Sequence, residues 1–319
     1  MLNYSRRDFL KYCGKLAVLF GLTPASAERL TAAVDEIAAR KSCSLWLQGL
    51  SCSGCSVSLL NSAPLGIAEI LTKKVPLAFN STVSAATGEI ANKVIKSTTA
   101  AGDYFLIVEG AVPSGMSEAC VSGGVKFSDQ LIESAANSIA VFAVGTCASY
   151  GGIAAGEGNP TGAMGIPDFL KAKGVNKKVV VIPGCPVHPD WLVGSLSYAV
   201  AFGVDQLKLD AQGKPLAFFS GRIHEKCPLL PDFQAKKFAK FYSDKGCLLQ
   251  LGCKGPRTVA DCNSRLWNGE TNTCIKAGAP CLGCATNAFP AKRNLSFRFV
   301  EDTFLELPGG ASESDLLSK

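Results

Sequence analysis

The residues of this chain best equipped for chemistry are its cysteines and histidines, fourteen of the former and only two of the latter. Cys52 and Cys55 lie in "LWLQGLSCSGCSVSLLNS" (Leu45–Ser62), where an apolar run ends in a Ser/Gly-rich turn. A C-x2-C pair of this kind serves as a redox disulfide, as half a zinc site or as half an iron–sulfur site. Two more cysteines sit in comparable turns, Cys147 in "AVGTCASYGGI" and Cys185 in "VIPGCPVHPDW". Gly, Ser and Pro in such loops let backbone pass close to a bulky inorganic group.

A second set begins with "RIHEKCP", which spaces His224 and Cys227 as H-x2-C, and continues with Cys247 and Cys253 in "GCLLQLGCKGP". Mixed imidazole and thiolate donors read as zinc or as an iron–sulfur cluster with one histidine ligand. A third set is Cys262, Cys274, Cys281 and Cys284, ending in "CIKAGAPCLGC". Cys13 lies in the leader described below, and Cys43 and Cys120 show no partner pattern; both read as buried thiols that behave as small hydrophobes. Eleven cysteines and His224 remain, twelve donors, which is the requirement of three four-ligand sites.

The elements that must position these donors are legible in the hydropathy pattern. Short β-rich apolar runs occur at 43–48, 76–80, 104–108, 139–144 and 178–182. Helix-compatible stretches lie between them, at 89–100, 128–136, 167–173 and 191–202. Such alternation predicts an α/β, flavodoxin-like domain over 42–205, with a parallel sheet covered on both faces. In an open sheet of that kind ligands bind beyond the carboxyl ends of the strands. Cys52 and Cys55 follow the first strand, Cys147 the fourth and Cys185 the fifth, so the fold brings four thiols to one sheet edge. Glu109 follows the third strand and should face the same edge. After Pro215 the periodicity fades, and Cys, Gly, Pro and Asn dominate from Arg222 to Pro290, which predicts a smaller, irregular domain over 206–319 held by bound metal clusters.

Bulk properties narrow the function classes. Apolar content of 47% against 18% charged fits a folded globular protein. The net charge of +6 includes +3 from the first 27 residues, where Arg6, Arg7, Lys11 and Lys15 oppose Asp8. No basic stripe carries interleaved aromatics, so nucleic-acid binding has little support. Residues 1–27 combine "SRRDFLK", the apolar run "LAVLFGL" and the ending "PASA", the pattern of a twin-arginine signal peptide cleaved after Ala27. Residues 28–41 then read as a linker, and no later stretch is long enough to anchor the chain in a bilayer. An exported, cysteine-rich chain is ordinarily a disulfide scaffold. An exported disulfide- or zinc-stabilised binding protein is therefore the competing class.

Taken together, the twin-arginine leader, "LQGLSCSGCSVSLLNS", "EGAVP" (Glu109–Pro113), "GTCASYGGI", "PGCPVHPDW", H-x2-CP, "GCKGP" and "CIKAGAPCLGC" resemble the small, electron-transfer subunit of nickel–iron hydrogenases. The matching stretches span nearly all of the chain after the leader. The resemblance implies a proximal [4Fe–4S] cluster on Cys52, Cys55, Cys147 and Cys185, and a distal [4Fe–4S] cluster on His224, Cys227, Cys247 and Cys253. It implies a medial cluster on Cys262, Cys281 and Cys284. Many members have Pro where Cys274 stands and a [3Fe–4S] medial cluster; a thiolate there implies a third [4Fe–4S] cluster, as in the nickel–iron–selenium relatives, with [3Fe–4S] the alternative if Cys274 does not ligate. Catalysis at the Ni–Fe centre falls to the large subunit, so no catalytic residue is expected in this chain. Electrons would pass to a c-type cytochrome or a membrane redox partner, in the periplasm. Oxygen-tolerant members carry two further cysteines near the proximal cluster where this chain has Gly54 and Gly152, which implies an ordinary cubane. Glu109, His188 and Lys254 are expected as contacts around the ligands. A quinone-reductase relative sharing the proximal domain is the nearest competing wiring subunit, and it lacks the cysteines from Cys227 to Cys284.

Overall fold

The computed structural model describes residues 6–23, 25–26, 28–29, 44–61 and 77–290. Cys43, Pro76, most of the expected linker and the polar tail lie outside the described residues, as do the Arg6 and Arg7 side chains. The chain forms two compact units, 1–217 and 218–319.

The first unit is built on a five-stranded parallel sheet, β1 (Ser44–Gln48), β2 (Leu77–Asn80), β3 (Phe105–Glu109), β4 (Ala140–Val144) and β5 (Val179–Ile182), in the order β2-β1-β3-β4-β5. Every residue of β3 and β4 is buried, the signature of a sheet covered on both faces. Alternate strand residues pack on opposite faces. Leu45, Leu47, Leu106, Val108, Val141 and Ala143 share one core with Ile95 of α3 (Gly88–Ala101), Leu131 of α4 (Phe127–Asn137) and Phe169 of α6 (Ile166–Ala172). Their alternates include Phe105 and Phe142, which meet edge to face at 5.7 Å. Helix α7 (Pro189–Phe202) is apolar nearly all round and correspondingly buried. The α/β class, the five strands and the four helices agree with expectation, with described ends displaced by one or two residues.

Strands β1 and β3 are paired in register, Gln48 beside Glu109. The order of strand addition reverses here, since β2 lies on one side of β1 and β3 on the other. This switch point opens a crevice at the carboxyl ends of the strands. Two short helices start there, α2 (Gly54–Leu59) after β1 and α5 (Gly145–Tyr150) directly after β4.

The second unit has little regular structure: α8 (Leu230–Gln234), α9 (Cys262–Arg265) and a few 3-10 turns. Its apolar cluster is small, Ala239, Leu248 and Leu251 with Leu229 and Cys253 against them. No helix among the described residues is long and apolar enough to cross a membrane.

Candidate metal centres

The switch-point crevice gathers the first cysteine set. Cys55, in the first turn of α2, is buried, and its Sγ accepts the Val187 backbone N–H at 3.4 Å from the loop after β5. Burial pushes the Cys55 thiol pKa well up, and the charges of Glu109, Cys147 and Cys185 push it the same way. Cys147 in α5 is raised mainly by burial, with Cys52 a further cause. Cys55 is thus within electrostatic reach of Cys147 and Cys185, and Cys147 of Cys52, although the four come from three strand ends. Gly145, at φ +83°, is required here: a Cβ on it would overlap Cys55 Sγ.

Glu109 holds this loop in place. Its carboxylate is 2% exposed and accepts from Cys55 N–H at 2.9 Å, Ser56 N–H at 3.1 Å and Ser56 Oγ–H at 2.6 Å. Gln48 Nε2 donates to the same carboxylate at 3.1 Å and to Ser56 Oγ at 2.8 Å, and Asn80 Nδ2 reaches Ser56 Oγ at 3.3 Å. Glu109 is therefore a tether for the Cys-x2-Cys turn. Gln48 and Ser56 were not singled out from sequence. The signal that finds them is the polar last residue of three adjacent strands, Gln48, Asn80 and Glu109, each ending an otherwise apolar run. His188 accepts the Asp190 N–H on Nδ1 at 3.1 Å and so caps α7.

In the second unit, His224, Cys227, Cys247 and Cys253 line one pocket whose other walls are Leu, Ile, Gly and Pro. Burial lowers the His224 pKa, which keeps the imidazole neutral and free to ligate. Phe233 meets its ring edge-on at 4.5 Å. Cys247 is pushed up to about 11, chiefly by burial, with Cys253 and Cys227 as charged neighbours.

The third set is packed against the second. Cys262 is raised strongly by burial and interacts with Cys284 and Cys281; Cys281 is pushed up to about 12 by burial and by Cys253. Cys281 N–H donates to Cys253 Sγ at 3.3 Å, so a thiol of one set is hydrogen-bonded to the backbone of the next. Cys274 is exposed, and the interaction shown for it runs to Cys253. Lys254 is beside this third set: its N–H donates to the Cys281 carbonyl at 2.7 Å, and its stem packs on Gly283.

All twelve described cysteines are free thiols, and Cys120 packs against the apolar core. Among the described residues, no three His, Cys, Asp or Glu side chains close around a single metal ion. A cuboidal cluster does not require that, because each of its irons takes its own thiolate. The donor set fits iron–sulfur chemistry: soft thiolates with one imidazole, in pockets where an unpaired thiolate is unfavourable and a metal-bound one is not.

Comparison with known proteins gives a consistent set of likenesses. Residues 219–297 match the family model for the C-terminal region of the NiFe/NiFeSe hydrogenase small subunit, and residues 52–199 that of the 20 kDa subunit of NADH ubiquinone oxidoreductase. The chain is 38% identical over 307 residues to the periplasmic [NiFeSe] hydrogenase small subunit of Desulfomicrobium baculatum, covering 91% of this chain and 97% of that one. It is 37% identical to periplasmic [NiFe] hydrogenase small subunit 1 of Nitratidesulfovibrio vulgaris, covering 89% and 90%. The solved reduced NiFeSe hydrogenase of Desulfomicrobium baculatum superposes with a TM-score of 0.76 at 41% identity, covering 79% of this chain and 96% of that one.

Proposed function

The chain belongs to the small-subunit family of NiFe and NiFeSe hydrogenases, and from that premise we propose that it wires a periplasmic hydrogenase through three [4Fe–4S] clusters. Cys52, Cys55, Cys147 and Cys185 hold the proximal one; His224, Cys227, Cys247 and Cys253 the distal one; Cys262, Cys274, Cys281 and Cys284 the medial one. Without Cys274 the medial cluster is [3Fe–4S]. When bound, the clusters supply one-electron transfer between the Ni–Fe centre of a large subunit and an external acceptor, a c-type cytochrome or a membrane redox partner.

The observation that carries this reading is the cavity whose donors are His224, Cys227, Cys247 and Cys253 and whose remaining walls are apolar or backbone. The chain's own residues prepare each site. Glu109 fixes the turn that presents Cys52 and Cys55. Backbone N–H groups of Val187, Leu229 and Gly283 point at Cys55, Cys227 and Cys281 sulfurs and favour their anionic form. At Gly152, φ is +52° and a Cβ would lie 2.7 Å from Cys147 Sγ, which supports an ordinary proximal cubane with no thiol at that position. The likeness to the 20 kDa NADH ubiquinone oxidoreductase family lies within the first unit alone; the C-terminal ligand sets favour the hydrogenase reading. The twin-arginine leader supports export of the folded, loaded chain.

The test is anaerobic purification of the chain with its co-purifying partner, followed by iron and labile-sulfide counts and EPR under redox titration. Three cubane couples are expected. A colourless chain without thiolate-to-iron absorbance overturns the reading. A strong [3Fe–4S] signal in undamaged enzyme overturns the role of Cys274.

A further inference from the structure

The segment 222–245 of the second unit carries a charge pattern that the ligand sets do not use. Its exposed basic residues are Arg222, Lys226, Lys236, Lys237, Lys240 and Lys245. The acidic residues among them are occupied within the fold. Glu225 accepts the Arg222 N–H at 3.2 Å, Asp244 accepts the N–H groups of Lys240 and Phe241 at 3.0 and 2.9 Å, and Asp232 pairs with Lys237 at 3.8 Å. Lys226, Lys236, Lys240 and Lys245 make no ion pair among the described residues. Between Lys240 and Lys245 stand two aromatic side chains in solvent, Phe241 at 69% exposure and Tyr242 at 58%.

This loop is closed on a candidate ligand. Ala239 N–H donates to the Cys247 carbonyl at 2.9 Å, and Cys247 N–H to the Lys237 carbonyl at 2.8 Å. Behind the loop, Phe238 meets Phe233, and Phe233 meets His224. The solvent side is thus cationic and aromatic, and the inner side leads through two rings to the His224 cavity. Exposed aromatics ringed by charge are the anatomy of a transient protein interface, and a one-sign patch steers partners of the other sign. An anionic bilayer is less well matched: the loop has no amphipathic helix, its exposed apolar side chains number two, and Asp244 sits among them.

We propose that the 236–245 loop is the docking site for a soluble one-electron carrier protein that presents an acidic face. The inference rests on reading His224, Cys227, Cys247 and Cys253 as the outermost cluster's ligands. Each H2 oxidised gives two protons and two electrons and reduces two carriers.

The experiment uses the intact heterodimer under H2 and one carrier in two charge states: a basic mitochondrial cytochrome c, and the same protein made acidic by succinylating its lysines. Binding of each oxidised form without H2 is measured by surface plasmon resonance. At low ionic strength the acidic form is expected to be reduced about ten-fold faster and to bind more tightly, with both advantages lost in high salt. The triple variant Lys236→Glu, Lys240→Glu, Lys245→Glu is expected to reverse the preference in both readouts. Preference for the basic form, or salt-independent equality of the two in the unaltered enzyme, overturns the proposal. So does lysine-dependent binding to phosphatidylglycerol vesicles with no carrier preference. Reduction of methyl viologen by the unaltered enzyme reports on the hydrogenase reading alone, so the two failures are distinguishable.

Discussion

Glu109→Gln removes one charge and almost no volume, and its cost can be worked from the hydrogen bonds. One carboxylate oxygen takes the Cys55 N–H; the other takes Ser56 N–H, Ser56 Oγ–H and Gln48 Nε2–H. A glutamine has one acceptor oxygen. Its better orientation keeps the three-donor side and turns an NH2 toward the Cys55 N–H, a buried donor left without an acceptor. Such an orphan costs about 1–3 kcal/mol, and weakening the charge-assisted bonds adds to it. Each kcal/mol lowers the thermal midpoint by about 2–4 °C in a domain of this size. The assay is thermal loss of the cluster absorbance of the heterodimer, with iron content and the proximal EPR signal recorded on the same samples. Glu109→Ala orphans all the donors and leaves a cavity, so it should fall further and lose iron. If Glu109→Gln melts within 1 °C of the unaltered enzyme with an unchanged proximal signal, the carboxylate is not the tether described, because only substitutions away from buried networks stay within about 0.5 kcal/mol.

Gly145→Ala combines a left-handed backbone, about 1–2 kcal/mol for a residue with a Cβ, with overlap on Cys55 Sγ; lowered iron content and a lower midpoint are expected, and normal values in both would refute the steric account. Cys274→Ala should convert the medial EPR signature to a [3Fe–4S] signal in mildly oxidised enzyme; an unchanged spectrum removes Cys274 from the ligand set. His188→Ala should cost about 0.5–2 kcal/mol through the lost α7 cap. His188→Asn, which can still cap, should restore most of it with the proximal spectrum unaltered in both, and a spectral change in either would give His188 a role at the cluster.

The first unit was legible because buried parallel strands announce themselves as uninterrupted apolar runs, and "FLIVE" and "AVFAV" are such runs. Knowing which strand each thiol follows was then enough to converge Cys52, Cys55, Cys147 and Cys185. What escaped was the polar network beneath them. Gln48 ends an apolar strand as Asn80 and Glu109 do, but that these ends meet, and that Ser56 joins them, depends on the β1–β3 register, which a single run does not encode. His188 shows the opposite difficulty: close to the candidate ligand Cys185 it reads as part of the site, yet its Nδ1 is engaged on the backbone of α7. In the second unit the donor spacing was readable and the contacts between sets were not. Lys254 follows Cys253 in sequence, but its backbone and stem lie against Cys281 and Gly283 of the next set.

That interleaving bears on why the second unit folds at all. Beyond buried side chains such as Phe218, Phe219, Ile223 and Ile275, its apolar cluster around Ala239, Leu248 and Leu251 is small for so irregular a segment, whose chain entropy must be offset. Burial raises Cys247 to about 11 and Cys281 to about 12, which favours protonated thiols in the unloaded sites. Metal loading reverses this: it displaces the protons and converts each buried thiol from a group that resists ionisation into a bond that crosses the unit. Because Cys281 N–H is bonded to Cys253 Sγ, loading one set positions a residue of the other. On the proposed ligand sets, two C-terminal clusters are expected to assemble cooperatively, and loss of Cys253 should deplete iron beyond the one cluster assigned to it.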